Sequence, residues 1–246
     1  AMVARTEVLR SIGGFDDELQ VGEDVDLVWR LDEADWSVRY EPAARVAHRH
    51  RTRLRAWARR RFDYGTSAGP LALRHPGALA PVETSGWSIA TWAAVASGHP
   101  VAGTGVAAAT AVMLSRRLES LDQPVPVAAQ LAVRGHLSVG RALAQSLLRP
   151  FWPITLALLA LVPNRRFRLT VLAAALAPGV IDWVRQRPDL DPMTYLACRL
   201  ADDLAYSTGV WVGSLRAGTL DPLTPELVSW PKASRYTRWR EGRRAR

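Results

Sequence analysis

The stretch GGFDDELQVGEDVDLVWRL, Gly13 to Leu31, decides how the N-terminal part of the chain is read. Gly13-Gly14 closes a short helix expected over Glu7–Ile12, because glycine supplies the left-handed backbone that ends a helix. Gly22 then precedes Glu23-Asp24-Val25-Asp26, and a helix is predicted from there to about Ala34. Its acidic first turn suits the positive end of the helix dipole, and Leu27, Val28 and Leu31 fall on one side to be buried. Asp26 and Arg30 stand four apart and are expected to pair. An acidic helix start has a plain structural reading as a cap. It has a chemical one as well: a carboxylate facing a cleft can take a proton from a hydroxyl, and neighbouring carboxylates raise one another's pKa toward that task.

Working outward, Ser37–Glu41 reads as a strand stopped by Pro42, and Arg45–His48 as a second extended piece. Nothing upstream in the sequence supplies a partner for these strands, so an N-terminal portion is expected to precede Ala1. From Arg53 to Asp63 the apolar residues Leu54, Trp57, Ala58 and Phe62 recur at helical spacing with Arg on the other face, the pattern of an amphipathic helix at a membrane surface. Residues 1–75 therefore read as α/β. Residues 76–184 are much more apolar. No residue between Ser88 and Leu114 is charged, a run of 27 residues that exceeds the roughly 20 needed to cross a bilayer. It is expected either as one kinked span or as two helices meeting at Pro100. Pro150–Val162 and Leu169–Ile181 are apolar stretches of 13 residues each, separated by Asn164-Arg165-Arg166-Phe167-Arg168. Each is too short to span alone, so an interfacial or re-entrant hairpin is expected, with Trp152 and Trp183 as interface anchors. Residues 185–246 hold a helix from Met193 to about Leu215, interrupted on its apolar face by Arg199 and Asp202-Asp203, then a basic end.

Charge distribution narrows the function classes. The 246 residues carry 32 Lys+Arg against 23 Asp+Glu. Thirty-one of the bases are Arg, which codon usage in a GC-rich genome explains as well as function does. Residues 45–61 hold eight Arg and no acid, and residues 232–246 hold seven bases and one acid, while the remainder is net acidic. Such blocks point to phosphates or anionic headgroups. Nucleic acid is not the expected partner, because no DNA or RNA module is recognisable and few aromatics stand near the basic block to stack on bases. The block instead suits the anionic cytoplasmic leaflet of the cell membrane. With Cys198 the only cysteine, an internal disulfide and a cysteine-built zinc site are excluded.

The same strings carry a family resemblance. Gly13–Leu31, followed by WSVRYEPAARVAHRH over 36–50, resembles the C-terminal part of the catalytic domain of family 2 glycosyltransferases. The string RFDYGTSAGPLALRHPGALAP, residues 61–81, is similar to the mycofactocin-system members of that group. The resemblance implies the C-terminal part of a GT-A α/β domain, followed by a mainly helical membrane-associated region. It implies an inverting transfer of a sugar, glucose in the mycofactocin system, from a nucleotide-sugar donor to a hydroxyl of a small molecule or modified peptide. Asp24 would be the base, with Glu23 its neighbour and Asp26 a helper. Gly13, Gly14, Trp29, Arg30, Arg61 and Tyr64 are the candidate substrate-binding residues, the last in what reads as a tight loop near the acceptor cleft. His48, closing its strand, would join Mg²⁺ or Mn²⁺, whereas His50, one step outside the pattern, reads as a surface residue. Asp24-Val25-Asp26 and Asp189-Leu190-Asp191 are formally DxD motifs, but neither follows a buried strand. The metal-binding DxD and the nucleotide-binding half are therefore expected in a preceding segment. Two rivals remain: a transferase acting on cell-envelope lipid or polysaccharide, and a non-catalytic membrane adaptor anchored by its basic blocks.

Overall fold

The structure, a computed structural model, describes residues 2–47, 52–228 and 235–244. It is mostly helical. In chain order the elements are α1 (Thr6–Ser11), α2 (Glu23–Glu33), α3 (Leu54–Thr66), α4 (Ala68–Arg74), β1 (Glu83–Thr84), α5 (Gly86–Ala96), α6 (Pro100–Arg117) and α7 (Pro124–Leu148). There follow α8 (Trp152–Leu161), α9 (Arg165–Gln186), α10 (Pro192–Ala217), a 3-10 turn (Asp221–Leu223), β2 (Glu226–Leu227) and α11 (Arg235–Arg244). The chain divides into two compact units, one of residues 1–79, 201–223 and 235–246, the other of residues 80–200 and 224–234.

In the first unit, α1 and α2 meet through Val8, Leu27 and Leu31, with Leu9 and Ile12 alongside. This is the apolar face the sequence marks on α2, with Val28 only half-buried. A second cluster joins Ala68 of α4, Val210 of α10 and Leu223 of the 3-10 turn. Between these helices the backbones themselves touch. A Cβ built on Gly65 would lie 2.0 Å from the Tyr206 carbonyl oxygen, one on Gly209 2.1 Å from that of Phe62, and one on Gly213 2.2 Å from that of Thr66. The sequence Tyr64-Gly65-Thr66-Ser67-Ala68-Gly69 is thus not the tight loop expected from its composition. It is helical except at the Ser67 junction, and its glycines serve a close helix crossing.

In the second unit the uncharged run is two helices, α5 and α6, broken before Pro100, which occupies the first helical position of α6 where a missing N–H costs nothing. They meet α7 through a buried polar chain. His136 Nδ1 lies 3.1 Å from Ser88 Oγ, and its Nε2 lies 2.8 Å from Thr110 Oγ1. Asp182 of α9 is held by Arg141 and Arg199, each at 2.6 Å. Many large apolar side chains of this unit point outward, among them Leu131 and Val133 on α7, Leu156 and Leu161 on α8, and Leu169 and Val184 on α9.

Two further expectations are corrected. The strands over Ser37–Glu41 and Arg45–His48 do not form: 37–41 and the described 45–47 are irregular. A strand exists only in a ladder, and among the described residues the only ladder is the two-residue parallel pairing of β1 with β2, Glu83 opposite Glu226. The pair of short apolar stretches over 150–181 is also changed. Two helices do form, α8 and α9, but they break at 162–164, and the Arg-rich residues 165–168 make the first turn of α9, where Asn164 accepts from the Phe167 N–H at 3.2 Å and caps the helix. The resulting 22-residue helix, about 33 Å long, is long and apolar enough to cross a bilayer. Among the described residues, α7 and α8 meet the same criterion only as a pair, bent by 79° at their break.

Candidate active site

The site grows from α2. Gly13 and Gly14 have φ of +81° and +69°, a region L side chains rarely occupy, so the chain reverses tightly after α1. Gly22, also left-handed at φ +85°, caps α2 and lies against Ser67, where an added Cβ would be 2.9 Å from the Ser67 Cβ. Arg30 ties the turn to the helix. Its Nε donates to Asp26 Oδ2 at 2.7 Å, its Nη1 to the Ile12 carbonyl at 2.6 Å and its Nη2 to the Gly14 carbonyl at 2.7 Å. The predicted Asp26–Arg30 pair is therefore present, and it reaches further than an exposed i,i+4 contact.

The acids of α2 differ in placement. Asp26 is 2% exposed, and its second oxygen faces His75 Nε2 at 2.9 Å. His75, 1% exposed, turns its Nδ1 to Glu33 Oε1 at 2.5 Å. Asp24, two residues before Asp26, is on the other side of the helix and open to solvent, and its Oδ1 accepts only the adjacent Val25 N–H at 2.9 Å among described hydrogen bonds. Glu23 is half-buried. Of the three candidate carboxylates, Asp24 alone is exposed at the helix N-terminus.

The surroundings are pinned from two directions. Arg74 at the end of α4 binds Asp16 through Nε at 2.9 Å and Nη2 at 2.7 Å. The Glu18 backbone N–H first, and the Arg74 guanidinium next, hold the Asp16 carboxyl below the usual carboxylate range. From the C-terminal end, side chains of α11 reach α2. Arg240 binds the Asp32 carboxylate at 2.9 Å, and Tyr236 and Trp239 stack with ring centres 5.8 Å apart. Trp29 meets His75 edge-on at 5.0 Å, and Trp239 meets it at 6.0 Å. Burial, followed by the nearby Glu33 and Asp32 charges, pushes the Tyr236 hydroxyl above its ordinary range.

The other candidates are placed as follows. Arg61 donates to Asp202 of α10 at 2.6 Å, an ion pair inside the unit. Tyr64 is exposed, with the Arg60 guanidinium 4.4 Å above its ring. His48 and His50 lie outside the described residues. Among the described residues no three His, Cys, Asp or Glu side chains gather to hold a metal ion. Sequence reading missed His75, Glu33 and α11 altogether. The signal for His75 was faint: a histidine before Pro76-Gly77, 42 residues from Glu33 in sequence.

This chain is similar to glycosyltransferases over nearly all of its length. It is 40% identical over 237 residues to the pre-mycofactocin glycosyltransferase of Mycobacterium tuberculosis strain CDC 1551 / Oshkosh, and equally to that of strain ATCC 25618 / H37Rv. The matches cover 92% of this chain and 50% of each relative, so the chain spans about half the length of the curated proteins it matches. The likeness to mycofactocin-system glycosyltransferases read from residues 61–81 thus extends through the apolar helices as well. No family model matches the chain, and no solved structure matches it.

Proposed function

We propose that the chain is the acceptor-side part of a membrane-associated, inverting family 2 glycosyltransferase of the mycofactocin system. The observation that carries this reading is the contrast within α2. Asp26 is consumed by Arg30 and His75, while Asp24 is left open at the positive end of a helix fixed from behind. A general base needs that combination of rigid placement and an accessible oxygen. In the reaction the acceptor hydroxyl gives its proton to Asp24. Its oxygen forms the new bond to the anomeric carbon from the face opposite the diphosphate, and the sugar–phosphate bond breaks with inversion. The GT-A nucleotide-binding half, with its DxD, is assigned to the part of the relatives that this chain does not cover.

The divalent metal of the family does not fit the residues described here. The α2 acids are already partnered or stand alone, and no metal-binding group forms among the described residues. No step is therefore assigned to a metal on this chain, and His48 is kept only as a proposed contributor to a site completed elsewhere.

Membrane association is supported by α9, by the bent α7–α8 pair and by the outward apolar faces of the second unit. The basic stretch 45–61 supports a position of the site at the cytoplasmic leaflet. The direct test is to incubate the full-length gene product in membranes with UDP-, GDP- and dTDP-sugars and the peptide-derived mycofactocin precursor. Transfer of glucose with inverted anomeric configuration, read by NMR, is the expected result. Transfer only to envelope lipid, or to no acceptor, would overturn the reading.

A further inference from the structure

We propose that His75 is the positioning residue of this site: a buried ring that bridges Asp26 and Glu33 through its two nitrogens and so locks α2, and with it Asp24, against the Gly13–Gly14 turn. The inference rests on Asp24 being the base proposed above.

The argument starts from donor counting. An ionised carboxylate only accepts hydrogen bonds, and a neutral imidazole carries one N–H. His75 places both nitrogens on carboxylate oxygens, Asp26 at 2.9 Å and Glu33 at 2.5 Å. A neutral ring would set a lone pair against one of them in a buried site. A ring with an N–H at each nitrogen donates to both, so one side chain holds two carboxylates of α2. An unbalanced carboxylate here would carry the full desolvation penalty.

Geometry then connects the lock to Asp24. Asp26 and Glu33 lie seven residues apart, on one stripe of the helix. A single ring touching both fixes the rotation of α2 and its position along the axis. From Asp26 the chain of contacts continues through Arg30 to the Ile12 and Gly14 carbonyls. At about 100° per residue, Asp24 points away from whatever direction Asp26 takes, so turning α2 re-aims the base. Among the described residues, the other charged or titratable groups near the ring include Arg30 and Asp32 on α2 and Tyr236 and Arg240 on α11, with Asp32 and Arg240 paired to each other.

The test uses the full-length enzyme in membranes or detergent. Hydrogen exchange of amides 23–33 is followed by mass spectrometry at neutral pH, beside steady-state kinetics. His75→Gln lowers the protection of these amides at least tenfold and lowers kcat tenfold or more while donor KM stays within twofold. Should His75→Gln fail to fold, Glu33→Gln removes one of the two carboxylates the ring bridges and lowers protection and kcat in the same direction. Wild-type protection of 23–33, or an unchanged kcat, in the folded variant overturns the proposal. Failure of the base assignment appears separately, as normal turnover in Asp24→Asn, whatever α2 does in the exchange measurement.

Discussion

Adding a single methyl group at Gly213 tests the helix crossing that holds α3 and α4 to α10. The new Cβ would stand 2.2 Å from the Thr66 carbonyl oxygen and 2.7 Å from the Thr66 carbonyl carbon and Cα. The first of these is about 1 Å inside the ~3.3 Å at which carbon meets a carbonyl oxygen. Every obstructing atom is backbone, so no side chain can swing aside and the helices must part. Such overpacking costs about 1–3 kcal/mol, and the rigid obstruction puts Gly213→Ala near the upper end. Replacing a helical glycine by alanine returns about 0.5–1 kcal/mol of backbone entropy. The net loss is about 2 kcal/mol, or a fall in Tm of roughly 4–8 °C for a chain of this size. Gly105→Ala in α6 is the matched control, because a Cβ there meets nothing within 4 Å. It should raise stability by about 0.5–1 kcal/mol. Both variants are compared with wild type by thermal unfolding in a mild detergent. A Gly213→Ala protein as stable as the Gly105→Ala protein would refute the close-crossing argument.

Two further outcomes follow from the same geometry. The Asp16 carboxyl is held below its ordinary range, so the stability from its contacts with the Glu18 N–H and Arg74 is complete at neutral pH and is lost as pH falls below about 4; Arg74→Gln should flatten that acid limb in urea midpoints measured from pH 7 to pH 3, and an unchanged limb would remove Arg74 from the account. Because α9 and the α7–α8 pair expose apolar faces, the chain should stay in the membrane fraction through high salt and carbonate, whereas release by salt alone would indicate attachment by screened Arg–headgroup contacts.

Local signals in the sequence were enough for several elements. Gly13-Gly14 and the acidic turn at 23–26 fixed α1 and α2, Pro100 divided α5 from α6, and the apolar spacing from Leu54 to Phe62 marked α3. Reading failed where the deciding interaction is distant or depends on a partner. Ser37–Glu41 has the composition of a strand but no ladder among the described residues. α7 was not read, because Arg134 and Arg141 interrupt its apolar pattern. One of them is satisfied only in three dimensions, Arg141 on Asp182. α9 ran longer than expected because charge in a first turn does not stop a helix that Asn164 caps. In the candidate site, the Asp26–Arg30 pair was legible from i,i+4 spacing. The burial of Asp26 by His75 was not, since 49 residues separate the two. That burial divides the carboxylates into a structural Asp26 and an open Asp24, a distinction their shared acidity conceals.

Asp24→Asn in the full-length enzyme is the most direct test of the central claim, since it keeps the size of the side chain and removes its ability to accept a proton. Turnover should fall by roughly 10²–10⁴, the usual contribution of general-base catalysis, while donor affinity and the exchange protection of α2 stay at wild-type values. Near-normal turnover would contradict the account and leave Asp24 as a first-turn carboxylate that complements the helix dipole.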